Sequence, residues 1–160
     1  MTDKSDQVHA TAWIIELDSG LYVAVGELEM VHIIQSPEVF DIPQTPFYCS
    51  QVLIWQDGII PVLDIPAWLE GYALPRPHNM VGIFNYQQQP ESPLDFGALP
   101  MVSIPARTQV IDNQACDLPA NIPGWRELSV SCFLHNDKVI PILDLPYIFS
   151  TSLQQAAEAS

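Results

Sequence analysis

An internal repeat at a spacing of 80 residues limits the possible folds of this chain more than any other feature. Residues 57–69 read DGIIPVLDIPAWL and residues 137–149 read DKVIPILDLPYIF. Asp57/Asp137, Ile60/Ile140, Pro61/Pro141, Leu63/Leu143, Asp64/Asp144 and Pro66/Pro146 are identical, and most other positions exchange one apolar residue for another. Upstream, Val52-Leu53-Ile54 falls in register with Cys132-Phe133-Leu134. Self-similarity of this kind marks a repeated supersecondary unit whose copies bury their apolar faces on one another.

Each copy reads as strand, tight turn, strand and short helix. Asp57-Gly58, between VLIW and IIPV, is a hairpin signal because both residues tolerate positive φ. In the second copy Lys138 replaces the glycine, so the turn is expected to shift to Asn136-Asp137. Asp64 and Asp144 are placed to N-cap a helical turn, with Pro66 and Pro146 in the first turn, where a missing N–H costs nothing.

Fifteen prolines and seven glycines cut the rest into short segments rich in Val, Ile, Leu and aromatic residues. Expected strands are 12–17, 20–25, 29–35, 50–55, 59–63, 80–86, 97–104, 128–135 and 138–143. The fold class is therefore all-β with short helices, in two pseudo-symmetric halves of about five strands packed side by side. The 160 residues read as one domain, 1–160, with subdomains at about 11–70 and 79–150, joined by Glu70–Asn79, and short tails at both ends. Loops are expected at Gln87–Asp95 and Asp112–Gly124.

Charge excludes some partners. Nineteen acidic residues face five basic ones, a formal charge of −14. Such a chain repels phosphate backbones and anionic lipid heads, so neither nucleic acid nor direct membrane insertion is expected. The acidity serves solubility, attraction to basic protein surfaces, or both. The polar start Met1–Gln7 lacks the apolar stretch of a signal peptide, and no run of about 18 apolar residues occurs, so a cytoplasmic location is expected. Cys49, Cys116 and Cys132 are odd in number and lack C-x-x-C spacing, which argues against a disulfide framework or a zinc site.

Catalytic and cofactor chemistry finds little support. Two symmetry-related aspartates suggest a proton-sharing dyad, but Asp-Ile-Pro and Asp-Leu-Pro lack the small-residue turn such a dyad needs. Helix capping accounts for them. His9, His32, His78 and His135 are scattered without metal-ligand spacing. Ser103 and Ser131 lack a nucleophile elbow, Cys49 and Cys132 read as inert thiols in apolar strands, and no glycine-rich loop offers a phosphate site. No catalysis, cofactor or metal is expected. Trp13, Trp55, Trp68 and Trp125 read as core packing; Trp55, beside a hairpin turn, carries partner anchoring as its alternative.

Two stretches, the approach IPQTPFY (Ile42–Tyr48) and then VLIWQDGIIPVLDIPAWL (Val52–Leu69), resemble the signature of the CheW family of chemotaxis adaptors. WIIELDSGLYVAV resembles that family's first hairpin, and VIPILDLPYIF its last strand and helix. The resemblance covers Trp13 to Phe149, with most specificity at 42–69. It implies two SH3-like five-stranded β-barrels and a non-enzymatic scaffold in a two-component pathway. Implied partners are the regulatory domain of a CheA-type histidine kinase and the cytoplasmic tips of methyl-accepting receptors. The family's turn arginine aligns with Gln56, its next glycine with Asp57, and a strand glutamate with His32. These departures suggest a divergent member, serving chemotaxis or type IV pilus twitching motility. The alternative is a CheW-fold module that docks another signalling or pilus protein without receptor coupling. By alignment, the partner-binding residues are Met30, His32, Gln51, Gln56 and Asp57.

Overall fold

Prolines and tight turns divide this chain too finely for long helices, and short strands carry the architecture. The computed structural model describes residues 9–74 and 78–150. The strands are β1 (His9–Asp18), β2 (Leu21–Gly26), β3 (Met30–Gln35), β4 (Val39–Asp41), β5 (Gln51–Trp55), β6 (Gly58–Val62), β7 (Met80–Tyr86), β8 (Asp95–Pro100), β9 (Ala106–Ile111), β10 (Ser129–His135) and β11 (Lys138–Leu143). Helices α1 (Ile65–Glu70), α2 (Trp125–Leu128) and α3 (Leu145–Ile148) each span about one turn or slightly more. The tails at 1–8 and 151–160, and part of the expected linker, lie outside the described residues.

Strands form two sheets, ordered β10-β11-β2-β1-β9 and β3-β7-β8-β6-β5-β4. Read from β5, the second runs β5-β6-β8-β7-β3, which repeats the first position by position. In each, a repeated hairpin meets a hairpin of the other copy through one parallel step, Ile142↔Ala24 and Val62↔Ala98, and Val62 and Ile142 stand 80 residues apart. The all-β expectation of two pseudo-symmetric, barrel-like units therefore stands, with a sixth strand, β4, added to one sheet.

The contiguous stretches 11–70 and 79–150 do not coincide with the sheets. Hairpin β1–β2 pairs with β9 and β11, whereas hairpin β7–β8 pairs with β3 and β6. Each sheet draws on both repeat copies, as if the two had exchanged their leading hairpins. The physical reason is pairing geometry, since the repeated hairpin presents an edge that accepts a parallel neighbour from the other copy.

Packing follows the repeat. Leu53 and Ile60 fill a small core inside one sheet with Val62, Val81, Ile83 and Ala98. Their equivalents Phe133 and Ile140 do the same inside the other with Ala12 and Ala24. Between the sheets lies the largest core, in which Ile15, Leu17, Phe84, Leu99 and Trp125 meet the repeated pairs Leu63/Leu143 and Ile65/Leu145.

Both expected helix caps form. The Asp64 carboxylate accepts from Ala67 N at 3.1 Å and that of Asp144 from Tyr147 N at 3.2 Å. The first hairpin turn is not where the dipeptide Asp57-Gly58 suggests. Gln56 and Asp57 take the positive φ values, 48° and 64°, and Gly58 opens β6 opposite Trp55. Asn136 and Asp137 match them at 51° and 64°. Both copies thus turn at the same place, because register follows the inward apolar set, which a one-residue slip would move outward.

Two strands escape the sequence pattern. β4 has only three residues between prolines, and β9 (ARTQVI) is an edge strand with little burial on either face. β8 begins and ends earlier than the expected 97–104. Cys49 sits in a turn rather than a strand, yet is buried.

Glu29, just before β3, accepts from Gly26 N at 2.6 Å. Its pKa is raised, first by burial and also by the Asp144 carboxylate, against the opposing Gly26 N–H. The folded state thus disfavours the ionised form, and stability falls as pH rises from the unfolded pKa through the folded one. Glu29→Gln, whose carbonyl can keep the Gly26 bond, is expected to raise the melting temperature near neutral pH. That gain should vanish below the carboxylate range, as thermal melts across the two regimes would show.

Candidate functional site

Residues 30–62 contain no Lys or Arg, and all their charge is acidic: Glu38, Asp41 and Asp57. This stretch builds β3 to β6 and presents an apolar outer face, with those acidic residues exposed in or beside the same strands. Inward positions Val39, Leu53 and Ile60 pack into the small core of their sheet. The alternate positions therefore point outward. Phe40, Val52 and Pro61 lie in one cross-strand row, and Ile54 lies directly opposite Ile59 in the next. Ile54 is 63% exposed, Ile59 73% and Phe40 43%. A contiguous apolar face of this kind is uncommon on a protein with no use for it.

At one end of that face the sheet curls so that β3 and β5, which are not hydrogen-bonded neighbours, touch through their side chains. The His32 ring stacks on Trp55 with centroids 6.3 Å apart and planes 27° apart. Trp55 in turn meets Phe96 edge-on at 5.2 Å. Trp55 is half-buried against the core inside its sheet and stands where the chain turns into β6. Gln56 and Asp57 follow it, both exposed.

The five aligned residues do not form one cluster. His32, Gln56 and Asp57 converge on the Trp55 tip. Met30, separated from His32 by a bulge, packs against the central core. Gln51 is at the opposite end of β5, where its amide donates to Asp41 Oδ1 at 3.0 Å. It lines a cavity with Phe47, Tyr48, Asp64 and His78, with space for about 250 Å³ of water-sized occupants. Reading the sequence missed the isoleucine pair. Its signal is the alternation of VLIW and IIPV, which leaves apolar residues on both faces of a hairpin.

Among the described residues no group of three or more His, Cys, Asp or Glu could hold a metal. Two of the described cations are already engaged, Arg107 with Glu27 and the Trp13 ring, and Lys138 over Tyr22. Among the described residues, no helix is long and apolar enough to cross a membrane.

The turn itself carries strain, because two non-glycine residues occupy left-handed backbone at Gln56-Asp57. Such positions favour Asn-Gly, and side chains with a Cβ pay for them. The double change Gln56→Asn, Asp57→Gly is expected to stabilise the protein by about 1 kcal/mol in urea titration. If the same change weakens partner binding, the strained side chains are kept for contact.

No family model matches the sequence, and no curated protein matches it either. The fold does find a match. The crystal structure of the scaffolding protein TtCheW from Thermoanaerobacter tengcongensis is similar at a TM-score of 0.69 and 16% identity, covering 89% of this chain and 94% of that one. At that identity the likeness is one of architecture: this chain is built on the CheW fold of two β-barrel-like units.

Proposed function

We propose that this chain is a non-enzymatic adaptor that couples chemoreceptor tips to the regulatory domain of a CheA-type histidine kinase in the cytoplasm. The observation that carries this reading is the exposed face of β4–β6, centred on Ile54 and Ile59, beside the stacked His32–Trp55 tip. It is a site built to be covered rather than to react. The CheW-type fold supports the reading, as does the scaffolding role named for TtCheW. The exposed Glu38, Asp41 and Asp57, in a stretch without Lys or Arg, favour a partner whose apolar contact is accompanied by Lys and Arg. An adaptor of this kind works by positioning. It binds kinase and receptor together, and a change in the receptor then shifts the kinase between its active and inactive populations.

A second reading has its own support. Gln56 and Asp57 stand where the resembled signature places Arg and Gly, and Gln cannot supply the two parallel N–H donors of an arginine. This favours a module that keeps the fold and docks another signalling or pilus protein, for example in twitching motility, without receptor coupling. Affinity purification from native cells, with partners identified by mass spectrometry, separates the two. Recovery of a CheA-type kinase together with receptors supports the first. Recovery of a pilus or unrelated signalling protein alone replaces it with the second, and recovery of neither class sinks both.

A further inference from the structure

The loop between β9 and β10 is held against β10 at three successive places. Gln114 Nε2 donates to Leu134 O at 3.1 Å, Ala115 bridges Phe133 in antiparallel fashion, and Cys116 N donates to Cys132 O at 3.4 Å. Cys116 and Cys132 therefore face each other across a two-strand ladder. Their sulfurs lie 3.2 Å apart, and the Cys132 thiol also donates to Cys116 O at 2.9 Å. Residues opposed in this way have Cα atoms about 4.5–5.5 Å apart, within the range a disulfide spans. Both cysteines are free thiols in this structure. Because no third ligand joins them among the described residues, a metal does not explain the pairing.

We propose that Cys116 and Cys132 are a reversible oxidation site, closing to an intramolecular disulfide when a hydroperoxide reaches the half-buried Cys116. This inference is independent of the adaptor reading. The two sulfurs take different roles because their surroundings differ. Cys132 is 1% exposed, and burial first, then the Cys116 thiol beside it, push its pKa up to about 12. It holds its proton and is shielded from solvent. Cys116 is the sulfur a reagent can reach.

In the first step the Cys116 thiolate attacks one peroxide oxygen. An S–O bond forms, the O–O bond breaks, and the departing oxygen takes up a proton to leave as water. Cys132 sulfur then attacks the sulfenic sulfur; the S–S bond forms, the S–O bond breaks, and the hydroxyl leaves with the Cys132 proton as a second water. Two thiols lose two electrons and two protons, and one hydrogen peroxide becomes two waters. A dithiol reductant reverses the bond by exchange. Cys49 is the internal control. It lies in the central core, 8% exposed, and burial pushes its pKa up to about 11.

The test is mass spectrometry of the full chain after hydrogen peroxide, with free thiols blocked and digestion done without reduction. The expected product is a monomer lighter by two hydrogens, with a peptide linking Cys116 to Cys132 that dithiothreitol removes. Sulfinic acid at Cys116, or dimers linked through Cys116, with no Cys116–Cys132 peptide, would overturn the proposal. Cys132→Ser, whose hydroxyl can keep the bond to Cys116 O, provides a second readout in protein shown folded by circular dichroism. It should stall at a Cys116 sulfenic acid that dimedone labels, and absence of that adduct counts against the proposal equally.

Discussion

Gly97→Ala is expected to destabilise this protein by about 3 kcal/mol, the upper end of the cost of overfilling a packed core. A Cβ at Gly97 would lie 2.4–2.6 Å from three carbons of the Phe149 ring, closer than any real contact. The ring cannot easily give way. Phe149 is 7% exposed, stacks on Tyr86 with centroids 5.3 Å apart, and belongs to the central core. Interiors packed at crystal density transmit such a clash rather than absorb it. Urea unfolding measures the loss, and a double-mutant cycle locates its cause. Phe149→Leu alone should cost about 1 kcal/mol. In the Gly97→Ala background it should cost less, because the smaller side chain vacates the space the new methyl needs. Simple additivity would mean the clash is relieved elsewhere.

The second large effect concerns binding. Ile54→Asp with Ile59→Asp should lower affinity for the captured partner about a hundredfold or more, since two central apolar contacts become desolvated charges. Stability should move by no more than about 0.5 kcal/mol per site, because both side chains already face water. Isothermal titration with the purified partner gives the first number and chemical denaturation the second. The repeat supplies a control. Leu134 and Val139 are the equivalent pair on the other hairpin, and Leu134 is 45% exposed. If aspartates at 134 and 139 abolish binding while those at 54 and 59 do not, docking belongs to the other unit. If neither pair matters, the sheet faces are not the interface.

Much of this architecture is legible in the sequence. The 80-residue repeat exposes the two equivalent hairpins, and the alternation of Leu53 and Ile60 with their neighbours shows which side is core. Asp64 and Asp144 are legible as caps because Asp-x-Pro has little else to do at a helix start. What could not be read is non-local. The exchange of leading hairpins depends on which edges pair across long stretches of chain, Val62 with Ala98 and Ala24 with Ile142, and no local pattern encodes that choice. The dipeptide Asp57-Gly58 points to a turn one residue later than the inward apolar set allows. Strand β9 was missed because an edge strand need not alternate. For the site, alignment identified His32, Gln56 and Asp57, which the fold does bring together at Trp55. It also included Met30, whose side chain turns into the core, and Gln51, at the far end of the same strand. The Cys116–Cys132 pair is invisible in spacing, since sixteen residues separate partners that only an antiparallel bridge aligns.

The exchanged hairpins have a consequence for the ribosome. Strand β2 cannot find its neighbour β11 until residue 142 has been made, so the first hairpin emerges long before its partner exists. At a synthesis rate of about 5–20 residues per second, that gap lasts on the order of ten seconds. During it, Ala12 and Ala24, which pack with Phe133 and Ile140 in the finished protein, lack that cover. The nascent chain is thus a natural client for holding chaperones near the exit tunnel, and its yield should depend on them more than that of a chain whose units close in order.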